Sequence, residues 1–466
     1  MRKYCQLLIP LIHIALMTGN SVASNESLNE RENNKVVRYS PTVNQSHPNN
    51  VYWGDTHLHT NLSMDAYNFT NRNLGPEEAY RFAKGEEVVA NNGMTAKLRR
   101  PLDFLVIADH ASNVGIMQGL EVNDTGLLTS PLARQWASKL QAINAVAGKN
   151  SKTFLDLSIE LFNNGFMDGV AGNDSFRQSV WKNNGLLADI HNVPGQFTAF
   201  IGYEWTESLY NLHRVVIFKD GAEKTGQVIP FSKYDSNDPE KLWDYLAAYE
   251  EKTEGEVLAI PHNSNLSYGL MFALEDAQGS PLSAEYAKTR SRWEPLLEVT
   301  QNRGDSETHP VLSPDDEFSA FETYYVNDLV EGSYAVVRRK ELNLNHYASW
   351  VDKSVVLREK NPSAMRQFEY ARSGLKLGLQ EQSKIGVNPF KFGMIGSTDS
   401  HTSLSAAGED NYWSKLSLTE PFPARVMGTW RGASTDQQAP SESWDNWKMN
   451  AAGYAAVWAE ENTRES

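Results

Sequence analysis

Five apolar runs in this chain end in histidine, aspartate or glutamate, and that recurrence limits the possible folds more than any other feature. The first is Val51-Tyr52-Trp53, which leads into Gly54-Asp55-Thr56-His57-Leu58-His59-Thr60. Extended chain alternates its side chains, so His57 and His59 share one face and form a pincer for a divalent cation. Two buried, hydrogen-bonded histidines would account for one such pair. The pattern returns, however, in residues 103–110, 197–205, 257–263 and 392–401, which carry Asp109-His110, Glu204, His262 and Asp399-Ser400-His401 at their ends. The recurrence favours metal.

Between these runs the chain reads as helix. Gly75-Pro76-Glu77-Glu78 opens a helix reaching Lys84, with proline at the first position and acids in the first turn. Residues 131–147 form an amphipathic pattern, 148–196 a helical or irregular insertion, and 238–251 a helix entered at Pro239. Arg214–Phe218 is a strand directly after His213, and 296–300 is another, followed by a polar loop over 301–307. Two further helices are expected near 328–343 and 363–379. Strands that alternate with helices and end in ligand-type residues describe an α/β parallel barrel with its site on the carboxyl-terminal rim. A doubly wound open sheet would instead gather its ligands at one switch point.

The candidate ligands are His57, His59, Asp65, His110, Glu204, His213, His262, Asp399 and His401. Nine exceed what one four- to six-coordinate ion needs, so two or three ions bridged by a carboxylate such as Glu204 are expected. Nitrogen and oxygen donors without thiolate suit Zn, Mn or Fe. Asp55 and Asp109, each near a ligand in sequence, are expected to orient imidazoles or to cap strand ends. Arg214 and Arg303 are candidates for clamping an anionic substrate, against a plainer reading as ion pairs. Glu298 and Glu307 flank the polar loop and read as solvated acids.

The amino terminus has the layout of a secretory signal peptide: Met1-Arg2-Lys3, an apolar run over 7–17, and Ser21-Val22-Ala23 as the cleavage site. Residues 24–50, rich in Asn, Ser and Glu, read as a flexible leader. Export to a periplasm or the medium is expected. No stretch approaches the roughly 20 apolar residues of a membrane span. The single cysteine, Cys5, lies inside the signal, so a mature chain has neither disulfides nor Cys-ligated zinc. Cleavage removes two of 43 basic residues and none of the 58 acidic ones, leaving a net charge of −17. That balance argues against nucleic acid and anionic membrane as partners.

The ordered motifs resemble the PHP (polymerase and histidinol phosphatase) superfamily. His57-x-His59 with Ser63-Met64-Asp65 is similar to its first motif, Asp109-His110 to its second, and Glu204 with His213, then His262, then Asp399-x-His401, to the rest. The resemblance spans residues 51–410 and implies a distorted seven-stranded (β/α)7 barrel, here with helical insertions. It also implies metal-dependent phosphoesterase activity on a small-molecule ester, with a metal-bridging hydroxide as nucleophile and no protein nucleophile. Residue 65 is Asp where several members carry His. Residues 52–59, 298–307 and 453–465 also resemble an uncharacterised PHP-like bacterial family, domain of unknown function 3604. In that family, chain continues past a segment like 456–462, so a domain over 51–466 that is cut short at its carboxyl end is expected. Hydrolysis of a sulfate ester or an amide on the same cluster stays open as an alternative, as does a non-catalytic metal-binding protein. A Walker loop, a dinucleotide fingerprint and a Gly-x-Ser-x-Gly elbow are all missing from the sequence.

Overall fold

Strand β1 (Asn50–Leu58) grows more buried along its length, from an exposed start to the closed run that ends at His57 and Leu58. It lies in a six-stranded sheet whose order is β8-β1-β2-β3-β4-β5. The partners are β2 (Phe104–Ile107), β3 (Thr198–Trp205), β4 (Arg214–Phe218), β5 (Val257–Pro261) and β8 (Ala455–Ala459). A smaller sheet pairs β6 (Leu296–Gln301) with β7 (Gly393–Gly396). The computed structural model describes residues 47–147, 173–207, 210–301, 304–320, 362–411, 413–417, 420, 429–431, 443–445 and 453–466. The signal peptide, almost all of the leader, the helix expected at 328–343 and Arg303 lie outside the described residues.

The expectation of an all-parallel sheet is corrected at β4. Strands β1, β2 and β3 run parallel, but β4 is antiparallel to both β3 and β5. Only residues 206–213 join β3 to β4, too few for a crossover connection, so the chain turns back as a hairpin. The reversal puts the start of β4, preceded by His213, at the rim where the parallel strands end. At the other edge β8, which the sequence pattern did not suggest, runs antiparallel to β1 with Val51 opposite Trp458.

Alternate residues face two cores. Val106, Ala108, Val215 and Ile260 gather on the inner face with Phe200, Ile217, Leu258, Leu296 and Ile395. Side chains from both sheets meet there, so the fold is a mixed α/β with a curled half-barrel sheet. On the outer face Leu105, Ile107, Ile201, Val216 and Phe218 pack with side chains of four helices. These are α2 (Pro76–Ala83), α4 (Asp174–His191), α5 (Pro239–Thr253) and α7 (Ala371–Ile385). Each large apolar side chain buried there contributes roughly 1.5–3 kcal/mol. Two glycines permit the close strand spacing. A Cβ on Gly54 would lie 2.2 Å from the Phe104 carbonyl oxygen, and one on Gly202 would lie 2.5 Å from Val106 Cγ1.

The helices start where the sequence signals a start. Asp238 accepts from Glu240 N at the head of α5, and Glu78 reaches back to Gly75 N at the head of α2. The helix expected over 363–379 is two, Pro362–Arg366 and α7, while α6 (Ala284–Trp293), capped by Ser283, was not expected. Helix α3 (Pro131–Ala147) matches its expected span, and the short α1 (Met64–Asn68) follows the first histidine pair. No helix among the described residues is long and apolar enough to cross a membrane.

Candidate metal centre

Each strand end delivers its polar residue to one place. β1 supplies His57 and leads directly into His59, α1 supplies Asp65, and the segments after β2 and β5 supply His110 and His262. β3 contributes Glu204, the entry to β4 contributes His213, and the segment after β7 contributes Asp399 and His401. That last segment is held against β1 by His59 N, which donates to the Ser400 carbonyl at 2.8 Å. All nine expected ligands are brought together.

Glu204 is the hub. Its Oε1 lies 2.7 Å from His213 Nδ1 and 3.2 Å from His262 Nε2. Its Oε2 lies 3.4 Å from His57 Nε2, 3.2 Å from His59 Nε2 and 3.1 Å from His110 Nδ1. His57 and His59 bring their Nε2 atoms to 3.0 Å, and Asp399 Oδ1 stands 3.5 Å and 3.3 Å from them. A third set surrounds Asp65 Oδ2, with His110 Nε2 at 2.9 Å and His401 Nε2 at 2.8 Å. Donors about 2.1 Å from one cation lie about 3.0 Å apart at a right angle and about 3.4 Å apart at the tetrahedral angle. The spacings between these donors are the edges of such polyhedra, so the residues fit a metal ion. Overlapping groups sharing His57, His59, Glu204 and His262 can hold one.

Electrostatics agree with that chemistry. Burial opposes charge on the His57 imidazole, but the Glu298 and Asp399 carboxylates, with hydrogen bonds to Glu204 and Glu298, hold it well above its usual range. His59, also opposed by burial, is raised to about 9 by Asp399 and Glu204. Burial likewise opposes charge on Glu204, Asp65 and Asp399. Facing imidazoles, and Lys415 beside Asp399, nevertheless hold all three well below the usual carboxylate range. Burial, helped by the charges of His59 and Lys415, depresses His401 to about 4. Protons on His57 and His59 thus occupy positions for which a cation would compete.

Asp55, Asp109 and Arg214 make contacts other than those of an imidazole-orienting carboxylate or a substrate clamp. Asp55 orients no imidazole: it accepts from His57 N at 3.1 Å, Thr398 N at 3.1 Å and Ser405 Oγ at 2.7 Å, tying β1 to the segment after β7. Asp109 accepts from Thr60 N at 2.6 Å and Thr60 Oγ1 at 2.7 Å, and so holds the turn after His59. Arg214 is not a substrate clamp. It is 2 % exposed, with Nε on Glu294 Oε1 at 2.9 Å and Nη1 donating to the Leu212 carbonyl at 2.7 Å.

Four neighbours of the ligands were not expected. Glu298, read as solvated, is 1 % exposed, with Oε2 3.0 Å from His57 Nδ1. Lys415 places Nζ 2.5 Å from Asp399 Oδ2, and its carbonyl accepts from His401 N at 2.7 Å. Ser63 Oγ meets His59 Nδ1 at 2.9 Å, and Thr206 Oγ1 meets His110 Nδ1 at 2.5 Å. For Glu298 a signal was present: a lone carboxylate inside the apolar run 296–299, as Glu204 is inside its own. Lys415 follows no strand and offered none.

Comparison with solved structures gives one likeness, the crystal structure of PsfC from Pseudomonas syringae PB-5123. It is 11% identical, with 89% of this chain and 94% of that chain covered at a TM-score of 0.27. No curated protein matches. A family model described as "Protein of unknown function (DUF3604)" matches residues 46–466, nearly the whole chain, and the chain belongs to that family.

Proposed function

We propose that this chain is an exported metal-dependent hydrolase, a phosphoesterase acting on a small-molecule ester and built on a distorted seven-stranded barrel of the PHP type. The observation that carries the reading is the division of Glu204, whose two oxygens serve two different sets of imidazoles. A closed single-ion site would need only one of those sets. Divalent ions in such a centre lower the pKa of a coordinated water to about 7 and polarise ester oxygens.

The protein's own residues do the arranging. Glu204 holds the two sets at a fixed separation, and Asp399, braced by Lys415, keeps one oxygen toward His57 and His59. Asp55 and Asp109 fix the two backbone segments that carry these ligands. The phosphoester preference rests on the ordered PHP-like motifs, and the small substrate on the acidic balance of the chain. Export rests on the amino-terminal pattern alone. The two ions expected as a minimum would be Zn, Mn or Fe.

The test is a screen of Zn- and Mn-loaded protein against phosphomonoesters, phosphodiesters, sulfate esters and amides. Metal-dependent turnover of a phosphoester is the expected result. Turnover confined to sulfate esters or amides would reassign the substrate, and tight metal binding without turnover of any of them would contradict the hydrolase reading.

A further inference from the structure

Glu298 is a carboxylate in a place that should exclude one. It sits in the middle of β6 at 1 % exposure, beside Leu297, also 1 % exposed. An ionised group there costs several kcal/mol unless partners compensate. Among the described residues its Oε2 has one hydrogen-bond partner, His57 Nδ1 at 3.0 Å. Its Oε1 is buried with no hydrogen-bond partner among the described residues, and the same holds for His262 Nδ1. Glu298, His57 and His262 each offer an oxygen or nitrogen within 4.8 Å of the other two. The His57 and His262 rings lie 4.4 Å apart, and both direct Nε2 at Glu204.

A ring that gives Nε2 to a cation carries its proton on Nδ1, and a buried N–H needs an acceptor. Glu298 has two acceptor oxygens and the rings have two such donors. We propose that Glu298 is a positioning residue shared by His57 and His262. It takes the Nδ1 proton of His57 directly and, through its otherwise unpartnered Oε1, is the acceptor for that of His262, so that both rings present Nε2 toward Glu204. This inference rests on the metal reading. It adds that one imidazole facing each of Glu204's two oxygens is oriented by the same carboxylate behind it. Lost carboxylate partners of this kind typically weaken metal affinity about 10–100-fold.

The experiment uses Glu298→Met, which removes the acceptor but keeps apolar volume, and Glu298→Asp, which keeps a carboxylate. Zn2+ and Mn2+ affinity is measured by competition with a chelator. The histidine tautomers are read by 15N NMR of the metal-free protein at alkaline pH. The Met variant is expected to bind metal about 10–100-fold more weakly and to shift His57 from Nδ1–H toward Nε2–H, with partial recovery of both in Glu298→Asp. Wild-type affinity with an unchanged His57 tautomer in Glu298→Met would overturn the inference. If that variant does not fold, Glu298→Gln replaces it on the same two readouts. A wild-type protein that binds no metal would sink the metal reading, while the tautomer shift would still test Glu298.

Discussion

His57 and His59 bring their Nε2 atoms to 3.0 Å, a spacing at which two imidazole nitrogens need either a shared proton or a shared cation. In the metal-free protein the proton serves. His59 has a folded pKa of about 9, raised from 6.5, so the folded state keeps a proton that the unfolded chain gives up. The stability this contributes is present below pH 6.5 and is lost as pH rises toward 9, and His57 acts in the same direction. Chelator-treated protein is therefore expected to melt at lower temperature at pH 9 than at pH 6.5. Metal should flatten or reverse the trend, because the cation replaces the protons. A metal-free melting temperature that is constant or rises over that window would contradict the assignment.

Arg214 gives the second prediction, because its two readings diverge. As half of a buried pair with Glu294, which also accepts from Trp243 Nε1 at 2.9 Å, its loss leaves a charge stranded. Arg214→Met should cost about 3 kcal/mol, the lower end of the range for a broken buried pair, since Arg290 still faces Glu294 at 3.2 Å. Denaturant unfolding measures the loss. Turnover per folded molecule should stay near wild type, and a large rise in KM with unchanged stability would restore the substrate-clamp reading.

Gly54 tests the strand spacing beneath the site. A Cβ there would collide with the Phe104 carbonyl, and backbone cannot move aside cheaply. Gly54→Ala is expected to destabilise by about 1–3 kcal/mol, whereas Gly93→Ala would meet nothing within 4 Å and suffers only its left-handed φ of +85°. Equal melting temperatures for Gly54→Ala and wild type would refute the close approach.

Much of this site was legible because ligand chemistry coincides with strand ends. His57 and His59 could be placed on one face from a two-residue spacing, and Glu204 could be offered as a bridge because it is a carboxylate at the end of an apolar strand. Direction was not legible. Nothing in Arg214–Phe218 itself says that the strand is reversed; the short 206–213 connection does, and with it the reason His213 precedes its strand while His59, His110, His262 and His401 follow theirs. Arg214 carried two readings because its partner Glu294 is 80 residues away. Asp55 carried two for a similar reason: Thr398 and Ser405, which it ties to β1, are more than 340 residues distant. Strand β8 escaped notice because an edge strand needs no buried face, and Val457 and Trp458 remain exposed.

Glu204→Gln isolates the hub. The amide keeps the shape and loses the charge that both sets of imidazoles face. The expected outcome is loss of at least one bound ion per chain and a fall of 100-fold or more in any ester hydrolysis, on the order of a missing metal-site group. Unchanged metal content in the variant, by elemental analysis, would show that Glu204 does not bridge.

The most direct test of the account is the metal content of the wild-type protein itself. Protein exchanged with Zn2+ or Mn2+, dialysed free of excess and analysed for metal against protein concentration, is predicted to hold two or three ions per chain. One ion or fewer per folded chain after loading would contradict the bridged centre at Glu204.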